Sequence, residues 1–177
     1  DRAVAVLVAA GVEAGVVEAG GDIRYWGTKP NGAPWRFGVQ HPRAAEQLIV
    51  VDDLGTAALA TSGDYEQFYV IDGQRYHHLL DPSTGRPAVG AVSATAWAAT
   101  AMDADLLATA FFVMGPEAAI SWAEAEPGVE ALVLHPGTPS DSDENANSLV
   151  LRVTFAGVTL LLGGDCPEDD CEERLDP

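Results

Sequence analysis

From Arg2 onward the apolar residues Ala3, Val6, Leu7 and Ala10 recur at helical spacing, and Gly11 supplies a stop, so a helix is predicted over residues 2 to 10. The pattern then changes to short β-type runs. Val16 to Glu18 and Ile23 to Trp26 flank the Gly20-Gly21 turn, and Trp35 to Gln40 follows as a further strand. Past the Pro42 break, Gln47 to Val51 and Thr56 to Thr61 read as two short β segments around Asp53 and Gly55. Phe68, Val70 and Asp72 alternate up to Asp72-Gly73, a strong hairpin signal, and Arg75 and His77 continue the alternation on an antiparallel return.

Val92 to Ala98 predicts another strand. Thr100-x-x-Asp103 then matches a capping box with aspartate in place of glutamate, and it opens a helix running to Met114. Gly115 ends that helix, Pro116 suits the first turn of a second one over Glu117 to Glu124, and Val129 to Leu134 is again β-like. From His135 to Asn147 the composition shifts to Pro, Ser, Asp and Asn, a linker or long loop before a hairpin of Leu149 to Thr154 and Val158 to Leu162. Helices and mostly antiparallel strands in this order predict an α+β fold, and there is no internal repeat.

A chain of 177 residues with 47% hydrophobic content is enough for one domain with a core. The formal charge of -18, from 27 acidic against 9 basic residues with Lys29 the single lysine, would repel nucleic acid or an anionic membrane surface. The same acidity favours divalent cations, or equally serves solubility, so charge alone names no ligand. Cys166 and Cys171 lack CxxC spacing and a nearby histidine, which speaks against structural zinc; a local disulfide and two idle thiols both stay open. No apolar run reaches the roughly 18 residues of a membrane helix. The chain opens on Asp1 and enters its first helix at once, which reads as a cut piece whose true N-terminus, with any export signal, lies upstream.

Three clusters could carry chemistry. In Gly20-Gly21-Asp22-Ile23 the glycines permit positive φ or close backbone approach, although a tight turn with a locally bonded Asp22 explains them equally. The second cluster joins Thr61-Ser62-Gly63-Asp64-Tyr65 to Tyr76-His77-His78-Leu79-Leu80-Asp81-Pro82-Ser83-Thr84-Gly85. These segments lie at the two ends of one predicted hairpin, and neighbouring strand histidines face opposite ways, so at most one of His77 and His78 can look into a given site. In the third, Asp105 and Thr109 stand i and i+4 on one helical face while Asp103 points elsewhere. A carboxylate and a hydroxyl so placed can serve Mg²⁺, which takes few protein ligands plus water and phosphate oxygens. The plain alternative is a Thr109 bonded to its own helix and an Asp105 that merely favours the helix start.

Taken together and in order, GGDIRYWGTKPNGAPWRFGVQHPR, ATSGDYEQFYVIDGQRYHHLLDPSTGRPA and TAMDADLLATAFFVMG resemble the signature series of ApbE-type flavin transferases, over residues 1 to about 134. The resemblance implies a T-fold-like α+β architecture and Mg²⁺-dependent transfer of FMN from FAD to a threonine hydroxyl of a target flavoprotein, with release of AMP. It further implies that Asp105 and Thr109 are metal ligands with Asp103 a neighbouring carboxylate, and that His78 activates or orients the acceptor hydroxyl. Leu79 or Leu80, with Ser62 and Gly63, would contact the flavin nucleotide. By the same resemblance the protein belongs on the cell-envelope or periplasmic side, with membrane association only through an N-terminal anchor outside this chain.

Two departures from the family pattern stand out. A segment ending in Lys-Gly-x-x-x-Asp, carrying an FAD-contacting lysine and a carbonyl ligand for the metal, is expected before the first helix, and Asp1 reads as its last residue. The chain by itself is therefore expected to bind FAD poorly and to transfer FMN slowly or not at all; a catalytically inactive flavin- or metal-binding fragment is the alternative. Residues 135–177 are expected to form an acidic linker and β-hairpin tail of separate origin. Asn145 to Asp165 resembles the metallo-β-lactamase-like domain of DNA-uptake competence proteins, but the HxHxDH ligands are absent, so Asp165 is expected to mark a fused fragment and not a second active site.

Overall fold

The strand Ser93–Ala98, buried along its whole length, is where two cores of the described residues meet. The structure is a computed structural model and describes residues 1–52, 57–136, 149–155 and 158–162. In chain order the elements begin with α1 (Arg2–Ala9), the hairpin β1 (Gly15–Ala19) and β2 (Asp22–Trp26), and a second hairpin β3 (Arg36–His41) and β4 (Ala44–Asp52). Next come β5 (Ala58–Gly63), the hairpin β6 (Phe68–Ile71) and β7 (Gln74–His77), and the short pair β8 (Leu80–Asp81) and β9 (Arg86–Pro87). The remainder is β10 (Ser93–Ala98), α2 (Ala101–Met114), α3 (Pro116–Ala125), β11 (Glu130–Pro136), β12 (Leu149–Phe155) and β13 (Val158–Leu162).

Seven strands form one antiparallel sheet in the order β1-β2-β5-β10-β11-β12-β13, while β3-β4, β6-β7 and β8-β9 are separate two-stranded ribbons. The mostly antiparallel α+β expectation therefore holds, and the hairpin expected over 149–162 is present as the sheet's last two strands. What the residue pattern does not carry is that β4 and β5, adjacent in sequence, join different sheets: β4 folds back on β3, and β5 pairs with β2 and β10. The Asp53 and Gly55 expected between them, the linker expected over 137–147, and Asp165, Cys166 and Cys171 lie outside the described residues.

Alternation along β10 sorts its side chains to two faces. Ala94, Ala96 and Ala98 join a core with Ala58, Ala60, Ala131 and Val133, onto which α2 lays Ala104, Ala108, Phe111 and Phe112. Alanine on both sides lets the helix approach closely, and the phenylalanines fill what remains; truncating one such buried ring typically costs about 3–5 kcal/mol. On the opposite face Leu59, Trp97, Leu132 and Leu134 pack with Tyr25, Phe37 and Val39, so the β3-β4 ribbon is seated on this second core through Phe37 and Val39. The Tyr25 and Phe37 rings meet at 4.6 Å.

Turn chemistry explains the ribbon joints. Asp72 and Gly73 both adopt positive φ, 51° and 80°, as a two-residue β6-β7 turn requires. At α1, Gly11 takes φ +89° and the chain closes with Val12 N–H donating to the Leu7 carbonyl at 3.0 Å. Among the described residues no helix is long and apolar enough to cross a membrane.

The start of α2 is capped twice. Thr100 Oγ1 accepts from the Asp103 N–H at 3.1 Å and donates to Asp103 Oδ2 at 2.6 Å. The Asp1 carboxylate accepts from the Ala101 and Met102 N–H groups at 3.0 and 3.2 Å while pairing with Arg24 Nε at 3.2 Å. Three of the helix's orphan donors are thereby satisfied, with negative charge at the positive end of the helix dipole. Thr100→Ala is expected to lower stability by about 1 kcal/mol in denaturant unfolding. An unchanged midpoint would show that the Asp1 carboxylate suffices alone.

Candidate functional site

A cavity of about 820 Å³ opens where the β1-β2 turn, β3, the end of β5, the foot of the β6-β7 ribbon and the second turn of α2 converge. Its walls include Gly20, Gly21 and Asp22; Gly38, Val39 and Gln40; Thr61, Ser62 and Gly63; Tyr65 to Gln67; His78, Leu79 and Leu80; and Asp105 and Thr109. The three clusters singled out from the sequence are thus assembled on one concave surface by five elements that are distant along the chain.

Helical spacing puts Asp105 and Thr109 on one face, and the packing of α2 on β5 turns that face to the cavity. Thr109 Oγ1 lies 2.9 Å from Ser62 Oγ, a hydroxyl pair spanning helix and sheet. Asp22 joins them from the neighbouring hairpin. Its pKa is raised above the usual carboxylate value, first by partial burial and then by the negative charge of Asp105. Two carboxylates that repel one another beside two hydroxyls make a set of hard oxygen donors, which fits a divalent cation such as Mg²⁺. Among the described residues no three of His, Cys, Asp and Glu cluster as a metal cage, so any ion here would keep most of its coordination for water or a ligand.

Asp103 is not brought to this cavity. Two residues from Asp105 it stands on another side of α2, and its carboxylate is engaged by Thr100 at the helix cap. Its place in the structure is that of a cap, apart from Asp105 and Thr109.

The two histidines part company at the end of β7, whose last residue is His77. His78 lines the cavity, and its Nδ1 sits 3.2 Å from the Gln67 carbonyl. A carbonyl oxygen can only accept, so Nδ1 carries a proton in this bond, and in the neutral imidazole the lone pair is then on Nε2. His77 is buried on the other side, edge-on to Phe112 with ring centroids 5.4 Å apart, and its Nε2 donates to the Ala88 carbonyl at 3.1 Å. Leu79 is buried in the helix-side core, whereas Leu80 is about half exposed at the cavity.

Tyr65 closes the floor beside Gly63. A Cβ at Gly63 would run into the Tyr65 ring, with Cζ at 2.6 Å, so glycine is needed there for the ring to lie against the strand. Burial pushes the Tyr65 phenol up, and it stays protonated as a possible donor. Sequence reasoning left out Gln40, Glu18 and Gln67. Gln40 and Gln67 sit inside the quoted segments without a chemical signal of their own, and the fold brings all three to the cavity that Asp105 lines.

The family model described as the ApbE family matches residues 1–133. This chain belongs to the ApbE family. It is 42% identical over 124 residues to the FAD:protein FMN transferase of Vibrio cholerae serotype O1, an alignment covering 67% of this chain and 36% of that protein. With the FAD:protein FMN transferase of Treponema pallidum it shares 36% identity over 146 residues, covering 77% of this chain and 40% of the relative. Among solved structures, the ApbE protein of Thermotoga maritima MSB8 superposes with a TM-score of 0.67 at 43% identity, covering 75% of this chain and 44% of that one. The flavin transferase ApbE of Vibrio cholerae gives 0.68 at 33% identity, covering 89% and 47%. This ApbE chain thus spans between about a third and a half of the length of the relatives it matches.

His77 gives this ApbE chain a pH signature. With Nε2–H donated to Ala88, its Nδ1 is buried without a hydrogen-bond partner among the described residues. Burial holds the imidazole below its usual pKa of 6.5, and charging it would bury an N–H with no acceptor. Because the folded-state pKa is the lower one, the unfolded chain takes up the proton first. The contribution of a neutral His77 is complete above about pH 6.5 and is lost as pH falls through and below that value. Denaturant midpoints measured from about pH 7.5 down to 5.5 should fall more steeply for the parent than for His77→Gln. Parallel pH profiles would remove His77 as the cause.

Proposed function

We propose that this chain carries the transfer site of an FAD:protein FMN transferase, within residues 1–134. The observation behind this reading is the convergence in one cavity of His78, with a lone pair on Nε2, and the oxygen set of Asp105, Thr109 and Ser62. The names of the relatives support flavin transfer as the chemistry. Asp105 and Thr109 would hold Mg²⁺, which when bound neutralises charge on a pyrophosphate.

In the proposed reaction the hydroxyl oxygen of an acceptor threonine attacks the phosphorus of the FMN half of FAD. The bond from that phosphorus to the bridging oxygen breaks, and AMP leaves with the bridging oxygen. The hydroxyl proton passes to His78 Nε2, whose orientation is set by the Nδ1–H bond to Gln67. Leu80 would offer an apolar edge for the flavin nucleotide, with Ser62 and Gly63 on the wall of the same cavity.

A second reading is favoured by the fraction of the relatives' length that the chain spans, 36% and 40% for the first two: a flavin- or metal-binding piece that does not turn over by itself. Incubation with FAD, Mg²⁺ and an acceptor flavoprotein, followed by mass spectrometry, separates the two. An FMN adduct on a threonine supports the transferase, and flavin retained without an adduct supports the binding piece.

The metal assignment is tested separately. Asp105→Ala should weaken Mg²⁺ binding by at least about tenfold in calorimetric titration, since an oxygen ligand is lost. Asp103→Ala should leave the affinity near that of the parent and lower the unfolding midpoint instead. Equal losses of affinity in the two variants would sink the assignment.

A further inference from the structure

Asp64 follows the cavity residue Gly63 and precedes Tyr65, is 6% exposed, and has no place in the chemistry above. Its carboxylate takes both arms of one guanidinium: Arg43 Nη1 to Oδ1 and Arg43 Nη2 to Oδ2, each at 2.6 Å. Arg43 sits in the turn between β3 and β4, so this pair crosses from a ribbon outside the main sheet to the end of β5. The Asp64 carbonyl accepts from Arg75 Nη1 of β7 at 3.1 Å, and the Asp64 N–H donates to the Val92 carbonyl at 3.1 Å. One residue therefore ties together the β3-β4 ribbon, the β6-β7 ribbon and the main sheet.

The two ribbons need such a tie. Phe37 and Val39 seat the β3-β4 ribbon on the second core, but apolar contact is non-directional and fixes depth better than register. Two parallel charge-assisted bonds fix both distance and angle. The wall in question is Gly38 to Gln40 on β3, and the β6-β7 ribbon feeds directly into His78.

We infer that Asp64 is a positioning residue: through Arg43 it sets the β3 wall of the cavity, and through Arg75 the arm that leads to His78. Its consequence for flavin rests on the transferase reading, while its structural content does not.

Two variants test this in the 177-residue chain, each by amide hydrogen exchange and by FAD binding. Arg43→Lys keeps the charge but loses the fork, and Asp64→Asn keeps the shape but loses the charge, so neither leaves a buried ion wholly without a hydrogen-bonding partner. The expected result is exchange at the Gly38 to Gln40 amides faster by about tenfold, with the β11 amides unchanged and FAD bound about tenfold more weakly, a loss in keeping with sub-ångström misplacement of a wall. Parent-like exchange at Gly38 to Gln40 in both variants would overturn the inference. Faster exchange spread evenly over β11 as well would also overturn it, by showing a general stabilising role. A loosened β3 with unchanged FAD affinity would overturn the link between the tie and the cavity. A parent chain that holds FAD too weakly to titrate would agree with a chain that spans 36% and 40% of its first two relatives, and the exchange comparison would still decide the role of Asp64.

Discussion

The packing of α2 on the antiparallel sheet is the constraint from which the rest follows. Ala104 and Ala108 of α2 share one core with Ala60, Ala94 and Ala96 of the sheet, and Phe111 and Phe112 complete it toward the C-terminal end of the helix. Close approach of this kind leaves little freedom of rotation or slide, because a dense interior is sensitive to displacements of a single methylene. It therefore decides that Thr109 meets Ser62 across the helix-sheet boundary and that Asp105 faces Asp22. Asp103, on the same helix, is left to the cap.

Around that rigid centre the site is completed by parts of a different kind. The β3-β4 and β6-β7 ribbons belong to no larger sheet and contribute walls and a histidine by leaning on the main sheet. Ribbons of two strands are marginal alone, so their placement depends on side-chain ties such as the Arg43 fork and the Arg75 bond to the Asp64 carbonyl. The site combines a set of oxygen-bearing side chains on the main sheet and α2 with a wall and a histidine on tethered parts. Such a division suits the reaction proposed above, in which a nucleotide would be held firmly and a protein acceptor admitted.

The acidity of the chain takes on a local meaning in this setting. Read from composition, a charge of -18 was equally a solubility device or an invitation to cations. In the fold the Asp22 carboxyl is held above its usual range, first by partial burial and then by the charge of Asp105 in the same cavity, a tension that a divalent ion would relieve.

Local patterns in the sequence were sufficient for nearly every element: the positive-φ Asp72-Gly73 turn, the Thr100-x-x-Asp103 cap and the Gly115-Pro116 joint each act within a few residues, so their chemistry is legible without a fold. The i,i+4 relation of Asp105 to Thr109 is legible for the same reason, since the helix period dictates it; His77 and His78 also part as alternation suggests, although His78 stands just past the end of β7. Tertiary structure alone decided which faces became interior. It sent β4 to β3 and β5 to the main sheet, turned Asp22 from a turn residue into the neighbour of Asp105, and brought Gln40 to the cavity and Arg43 to Asp64. Those outcomes depend on contacts between residues tens of positions apart, where what selects the partner is the shape and burial of whole surfaces, a quantity that no short stretch of sequence contains.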